Sequence, residues 1–234
     1  MKKYDADELL KALDCLSIEA DDTIFIHSSL LSFGLPVGRS LSQLTVELMG
    51  ILKKKVIEKG SIVVPTFNFE FFETKYFNLQ RTPSKGMGTI SELVRLQEGS
   101  FRSPHPIQSV ASIGNKAQYF TQNAPKTAFE EGGPFDLMAK RGGKILLLGA
   151  TFRYISFIHF VEQKLRVPYR YYKCYDGIFE DELQSIKELR TYNFFARKLE
   201  ISRKVNPLPL KTEMSRKGLL SEIQVGDGFV CLMQ

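Results

Sequence analysis

Cysteine is scarce in this 234-residue chain. Cys15, Cys174 and Cys231 are far apart, odd in number and without a CxxC spacing, which excludes a short-spaced thiolate metal site and leaves them as small buried hydrophobes. No uncharged run approaches the roughly 18 residues of a membrane span. The first residues, Met1 to Glu8, carry charge where a secretory signal is apolar. Cytoplasm is therefore the expected compartment, with no membrane partner. The net charge of +6 is moderate, and basic residues do not interleave with aromatics, so no nucleic-acid partner is expected. No G-x-S-x-G elbow occurs, and no HxH or HxxxH pair offers a compact zinc site, so no metal is expected. Repeats, low-complexity tracts and linkers are absent, which leaves a single domain over residues 1–234.

Histidine is also rare, and its three occurrences organise the rest. His27, His105 and His159 each follow or interrupt an apolar stretch. The apolar pattern predicts an amphipathic helix over 5–17, a buried strand over 23–27, a helix over 42–57 and a strand over 61–65 ended by Pro65. Residues 66–87 are aromatic but aperiodic and read as a functional loop. A helix over 88–96, a strand over 108–113, a glycine-bounded strand over 144–149 and a helix over 156–166 follow. A strand over 169–179 enters a turn at Asp176-Gly177, a charged helix covers 181–204, and 223–232 forms a final edge strand. This alternation predicts an α/β protein: a three-layer α/β/α sandwich around a mostly parallel sheet with an antiparallel edge.

His159 and Glu162 stand three residues apart on a predicted helix, so they share a face. A carboxylate beside an imidazole sets its tautomer and raises its basicity, which suits a general base; the same spacing also describes an ordinary helix-surface ion pair. The helix follows the C-terminal end of the clearest strand, the edge where sites in parallel sheets gather. His27-Ser28-Ser29 also ends a strand, with hydroxyls and amides suited to phosphate or an amide-bearing chain, or simply to capping. His105, between Pro104 and Pro106, has no neighbouring carboxylate to orient it.

Taken in order, these segments resemble a known family. His27-Ser28-Ser29-Leu30 is similar to the HSSL motif of the aminoglycoside 3-N-acetyltransferases, the antibiotic acetyltransferases distinct from the GNAT fold. Val64-Pro65-Thr66-Phe67, Arg81-Thr82-Pro83-Ser84 with Met87-Gly88, and Arg102-Ser103-Pro104-His105-Pro106 with Ser109-Val110-Ala111 resemble its next segments. Gly143 to Gly149, His159-x-x-Glu162 and Val167-Pro168-Tyr169-Arg170 complete a likeness over residues 20–180, with Asn78 standing where the family carries an acid.

The resemblance implies acetyl-CoA as acyl donor and direct transfer, in a ternary complex, to a primary amine of an aminoglycoside or other amino-sugar. In it His159 is the base, Glu162 its orienting partner and Thr66 an oxyanion donor. Ser28, Ser29, Leu30, Ser103, His105, Ser109 and Val110 line the CoA channel. A homodimer is compatible with this reading. An aminoglycoside is a polycation, and the carboxylates available to meet it are Glu70, Glu73, Glu130, Glu131 and Asp176. Alternatives from other classes are an acyltransferase acting on a nucleotide-linked amino-sugar in surface polysaccharide synthesis, a non-catalytic CoA-binding protein, and a hydrolase or metal enzyme using the histidines.

Overall fold

The computed structural model describes residues 2–123, 125–202 and 206–234. In chain order the elements are β1 (Lys3–Asp5), α1 (Ala6–Asp14), β2 (Thr23–Ser28), β3 (Leu35–Val37), α2 (Leu41–Val56), β4 (Ser61–Pro65), α3 (Phe71–Thr74) and β5 (Tyr76–Asn78). They continue with α4 (Thr89–Leu96), β6 (Phe101–Arg102), β7 (Val110–Gly114), α5 (Ala117–Thr121), α6 (Pro134–Lys140), β8 (Lys144–Leu148) and α7 (Phe157–Lys164). The last are β9 (Arg170–Asp181), β10 (Ile186–Arg197), α8 (Leu199–Ser202), α9 (Leu208–Arg216), β11 (Leu220–Val225) and β12 (Gly228–Met233).

Among the described residues a seven-stranded sheet has the order β11-β12-β8-β2-β4-β7-β6. Its centre is parallel: β2 pairs with both β8 and β4. Antiparallel strands flank this centre on both sides, β12 against β8 and β7 against β4. Strand β2 shows why the sheet is a middle layer. Side chains alternate along a strand, so Ile24 and Ile26 join Leu9, Leu13, Leu48 and Val94 of α1, α2 and α4 on one face. Phe25 points the other way, to Phe135, Met138 and Phe160 of α6 and α7. Burial on both faces accounts for the near-continuous apolar composition of β2, β4 and β8.

A second sheet, of order β10-β9-β5, packs on its own aromatic core of Phe71, Phe77, Phe179 and Tyr192 with Ile107. Here the structure corrects two sequence expectations. The stretch 181–204 is not one helix: it forms the hairpin turn and β10, paired with β9 over twelve residues, before the short α8. Residues 203 and 204 of that stretch lie outside the described residues. Helix-forming Lys187, Glu188 and Arg190 yield because pairing buries Tyr192 and Phe195, and tertiary context overrides weak local propensity. The chain does not turn at Asp176-Gly177; β9 runs through it and the turn falls at 182–185, with Ser185 left-handed. Gly177 instead allows a close approach, since a Cβ there would run into the Phe71 ring and the Lys75 carbonyl.

Two further expectations change. Residues 223–232 are parts of a hairpin, so β11 is the edge and β12 an interior strand. The aromatic stretch 66–87 contains α3 and β5, the strand that joins β9 in parallel. Among the cysteines only Cys231 is buried; Cys15 and Cys174 are exposed thiols. No helix among the described residues is long and apolar enough to cross a membrane.

Candidate active site

The C-terminal ends of β2, β4 and β8 open on one side of the sheet, and the segments leaving them bring the site together. A cavity of about 380 Å³ is lined there by His27, Ser28 and Ser29 after β2, Pro65, Phe67 and Phe69 after β4, and Ala150, Ser156 and His159 after β8. Gly86 and Met87 add a wall from the segment before α4. Gly88 holds that wall close: it is left-handed (φ 93°), and a Cβ on it would strike the Ser28 carbonyl and hydroxyl.

His159 lies on α7 with its side chain 36% exposed, whereas Glu162 behind it is 7% exposed. The His159 Nδ1 lies 3.2 Å from Glu162 Oε2. Glu162 is also held by Arg170 Nη2 at 2.5 Å, by Arg197 Nη2 at 3.0 Å and by the Tyr169 hydroxyl, which donates at 3.0 Å. Burial alone would raise the Glu162 carboxyl, but the His159 hydrogen bond and the two guanidiniums outweigh it and hold it at about 2. His159 is pushed below its ordinary value, first by burial and then by Arg170 and Arg197, against the pull of Glu162. It is therefore a neutral imidazole near pH 7, able to accept a proton.

Arg170 Nη2 also lies 2.7 Å from His159 Nδ1. A guanidinium only donates, so this contact places the ring proton on Nε2, whereas a proton on Nδ1 is donated to Glu162. The two partners favour opposite tautomers, and the second leaves Nε2 as the proton acceptor. His27 sits one strand away, buried, with Nε2 accepting from the Ser156 N–H at 3.3 Å. That bond ties the end of β2 to the start of α7. Burial, and then the charge on His159, depress His27 to about 3, so it is a neutral structural partner.

The other anticipated residues divide cleanly. Ser28 and Ser29 line the cavity, and the Ser29 and Ser32 hydroxyls lie 2.8 Å apart. Leu30 is instead buried in the core beneath α2 and α4. Ser103, His105, Ser109 and Val110 are fully enclosed and are not brought to the cavity. Ser103 Oγ accepts from the Val110 N–H at 2.9 Å, and His105 Nδ1 accepts from the Gln108 N–H at 3.1 Å. Burial drives His105 to about 4, and its ring packs against Tyr192. Thr66 is likewise internal: its N–H donates to the Ser109 carbonyl at 2.8 Å, and its hydroxyl meets Ser109 Oγ at 2.9 Å and Arg102 Nε at 3.2 Å. With both donors engaged, this geometry gives Thr66 no part in holding an oxyanion. Among the described residues no cluster of three or more His, Cys, Asp or Glu is placed to hold a metal ion.

Residues 25–234 match the family model for aminoglycoside 3-N-acetyltransferase. The chain belongs to the aminoglycoside 3-N-acetyltransferase family. Within the family it is 29% identical over 180 residues to the SPbeta prophage-derived aminoglycoside N(3')-acetyltransferase-like protein YokD of Bacillus subtilis, a match covering 68% of this chain. The chain spans only 64% of that relative's length. Its fold is that of the family's solved structures: a binary complex of AAC-IIIb with CoASH (TM-score 0.79, 20% identity, 99% of this chain and 92% of that one) superposes closely. So does AAC-VIa bound to sisomicin, with a TM-score of 0.79 at 19% identity over 99% of this chain and 93% of that one.

Arg197, which holds Glu162, and Arg153, an exposed side chain in the cavity wall after β8, are the candidates that sequence reasoning passed over. Arg197 was hidden by the helical reading of 181–204. Tyr169 and Arg170 had a signal, the Val167-Pro168-Tyr169-Arg170 string, but not a role.

Proposed function

We propose that this protein is an acetyl-CoA-dependent N-acetyltransferase acting on a primary amine of an aminoglycoside or other amino-sugar, by direct transfer within a ternary complex. The observation that carries this reading is a half-exposed imidazole at a cavity, backed by a buried carboxylate, at the C-terminal edge of the parallel strands. The cavity suits a narrow, amide-bearing arm: Pro65, Phe67, Met87 and Ala150 supply apolar wall, and Ser28 and Ser29 supply hydroxyls. Acetyl-CoA supplies the acyl group as a thioester. The solved AAC-IIIb complex with CoASH supports the same donor here.

In the mechanism, His159 with its Nδ1 proton given to Glu162 takes the amine proton on Nε2 as the new C–N bond forms. The imidazolium is stabilised by the Glu162 carboxylate, and its proton is then available to the departing sulfur. Glu162 acts through His159 and is a positioning residue, held in place by Arg170, Arg197 and Tyr169. Replacing His159 by Ala is expected to leave CoA binding intact in a calorimetric titration and to slow thiol release from acetyl-CoA by at least ~100-fold, the scale of a general base. A variant that turns over normally, or a parent protein that does not bind CoA, refutes the reading.

A further inference from the structure

Three cavities adjoin the His159 region, of about 380, 200 and 510 Å³, and Arg153 lines all three. His159 borders the first two. Among the described residues no carboxylate lines either of those, and their cationic side chains are Arg153 and Arg197. Arg197 is committed to Glu162 at 3.0 Å, whereas Arg153 is exposed and, among the described residues, has no ion-pair partner.

Several carboxylates around this region are already opposed, while Glu73 and Glu130, the latter next to the Phe129 ring that packs on His159, have no ion-pair partner among the described residues. Glu70, next to cavity residue Phe69, is paired with Lys85 at 2.7 Å. In the third cavity Glu222 is paired with Lys211 at 2.5 Å and Asp227 with Lys2 at 3.0 Å. Of the acids available to a polycation by sequence, Glu131 pairs with Lys140, and Asp176 accepts from Thr191 on the exposed second sheet. A polycation entering the first two cavities meets an unopposed guanidinium and, among the described residues, no carboxylate in their walls, the arrangement that disfavours one partner and selects its opposite.

We propose that Arg153 is a specificity-determining residue that pairs with an anionic group, a phosphate or carboxylate, carried by the acceptor amino-sugar. The proposal rests on the N-acetyltransferase reading and narrows its acceptor. The transfer itself is unchanged: the amine nitrogen forms its bond to the acetyl carbon, the C–S bond breaks, and the amine proton passes through His159 to the thiolate. The guanidinium contributes a fork of donors matched to phosphate and carboxylate oxygens.

The test uses four amines: glucosamine, glucosamine 6-phosphate, glucosaminuronic acid and sisomicin. Each is titrated calorimetrically into the CoA-saturated protein and assayed by thiol release from acetyl-CoA. At least one of the two anionic sugars is expected to bind tenfold or more tightly than glucosamine and sisomicin, and the two distinguish phosphate from carboxylate. Arg153→Glu should erase that preference through KM for the acceptor and improve sisomicin; Arg153→Ala should fall between. Tighter binding of sisomicin than of either anion, binding of neither anion, or an Arg153→Glu effect on KM for acetyl-CoA alone overturns the proposal. Failure of the parent reading is separate, because it shows as absent CoA binding or as transfer indifferent to His159→Ala.

Discussion

Glu162→Gln removes one negative charge from the most heavily shared carboxylate in the site. In the folded protein that group meets His159, Arg170, Arg197 and Tyr169, with the Arg170 and Arg197 side chains only 5% and 17% exposed. Its fall from an ordinary 4.5 to about 2 corresponds to about 3 kcal/mol of folding stability. Breaking a buried ion pair from one side costs about 3–5 kcal/mol, so two routes agree on the scale. For a domain of this size that lowers Tm by roughly 6 to 12 °C at pH 7. The sign with pH follows from linkage: a depressed carboxyl stabilises fully above its unfolded value, and that stability is lost as pH falls from about 4.5 toward 2. Thermal melts of parent and variant, followed by circular dichroism from pH 7 to pH 3, should therefore show a gap that narrows steadily below about pH 4.5. A gap under about 2 °C at pH 7, or one that stays constant down to pH 3, refutes the carboxylate as the electrostatic keystone of α7.

Other outcomes are equally concrete. The acid limb of kcat/KM should be centred below pH 6.5, because burial and Arg170 hold His159 under its ordinary value; a limb centred at pH 7 or higher contradicts that environment. His27 and His105 are neutral in the fold, at about 3 and about 4, so their contribution to stability is full above pH 6.5 and declines as pH falls toward those values. Replacing His105 by Gln should flatten the pH dependence of Tm between 6.5 and 4, and an unchanged slope would show that it is not a buried neutral group. Gly177→Ala should destabilise the second sheet by about 1–3 kcal/mol through overpacking against Phe71, measured by urea denaturation; a neutral effect would mean that β5 and β9 are not so closely packed.

The elements that positioned the proposed base were legible because their signals are local. Strands β2, β4 and β8 are short apolar runs bounded by turn residues, and α7 carries its imidazole and carboxylate one turn apart. Burial of both sheet faces forces that composition, so the parallel centre could be read directly. The β9–β10 hairpin was not legible in full. Its second strand contains Lys187, Glu188, Leu189 and Arg190, good helix formers, and only its long ladder with β9 decides otherwise. The enclosed positions of Thr66, Ser103, His105 and Ser109 were equally out of reach, since a polar residue in a motif looks the same whether it faces a ligand or a buried backbone carbonyl.

By itself the sequence determined the parallel strands, the helix that follows the last of them, and the pairing of His159 with Glu162 on it, because each depends on neighbours within a few residues. Tertiary structure alone decided what surrounds that pair. Arg197 reaches Glu162 across 35 residues of chain, and His27 meets the start of α7 across 129. The charge of the cavity, and with it the acceptor that Arg153 selects, follows from which distant side chains the fold pairs with one another and which it leaves unopposed.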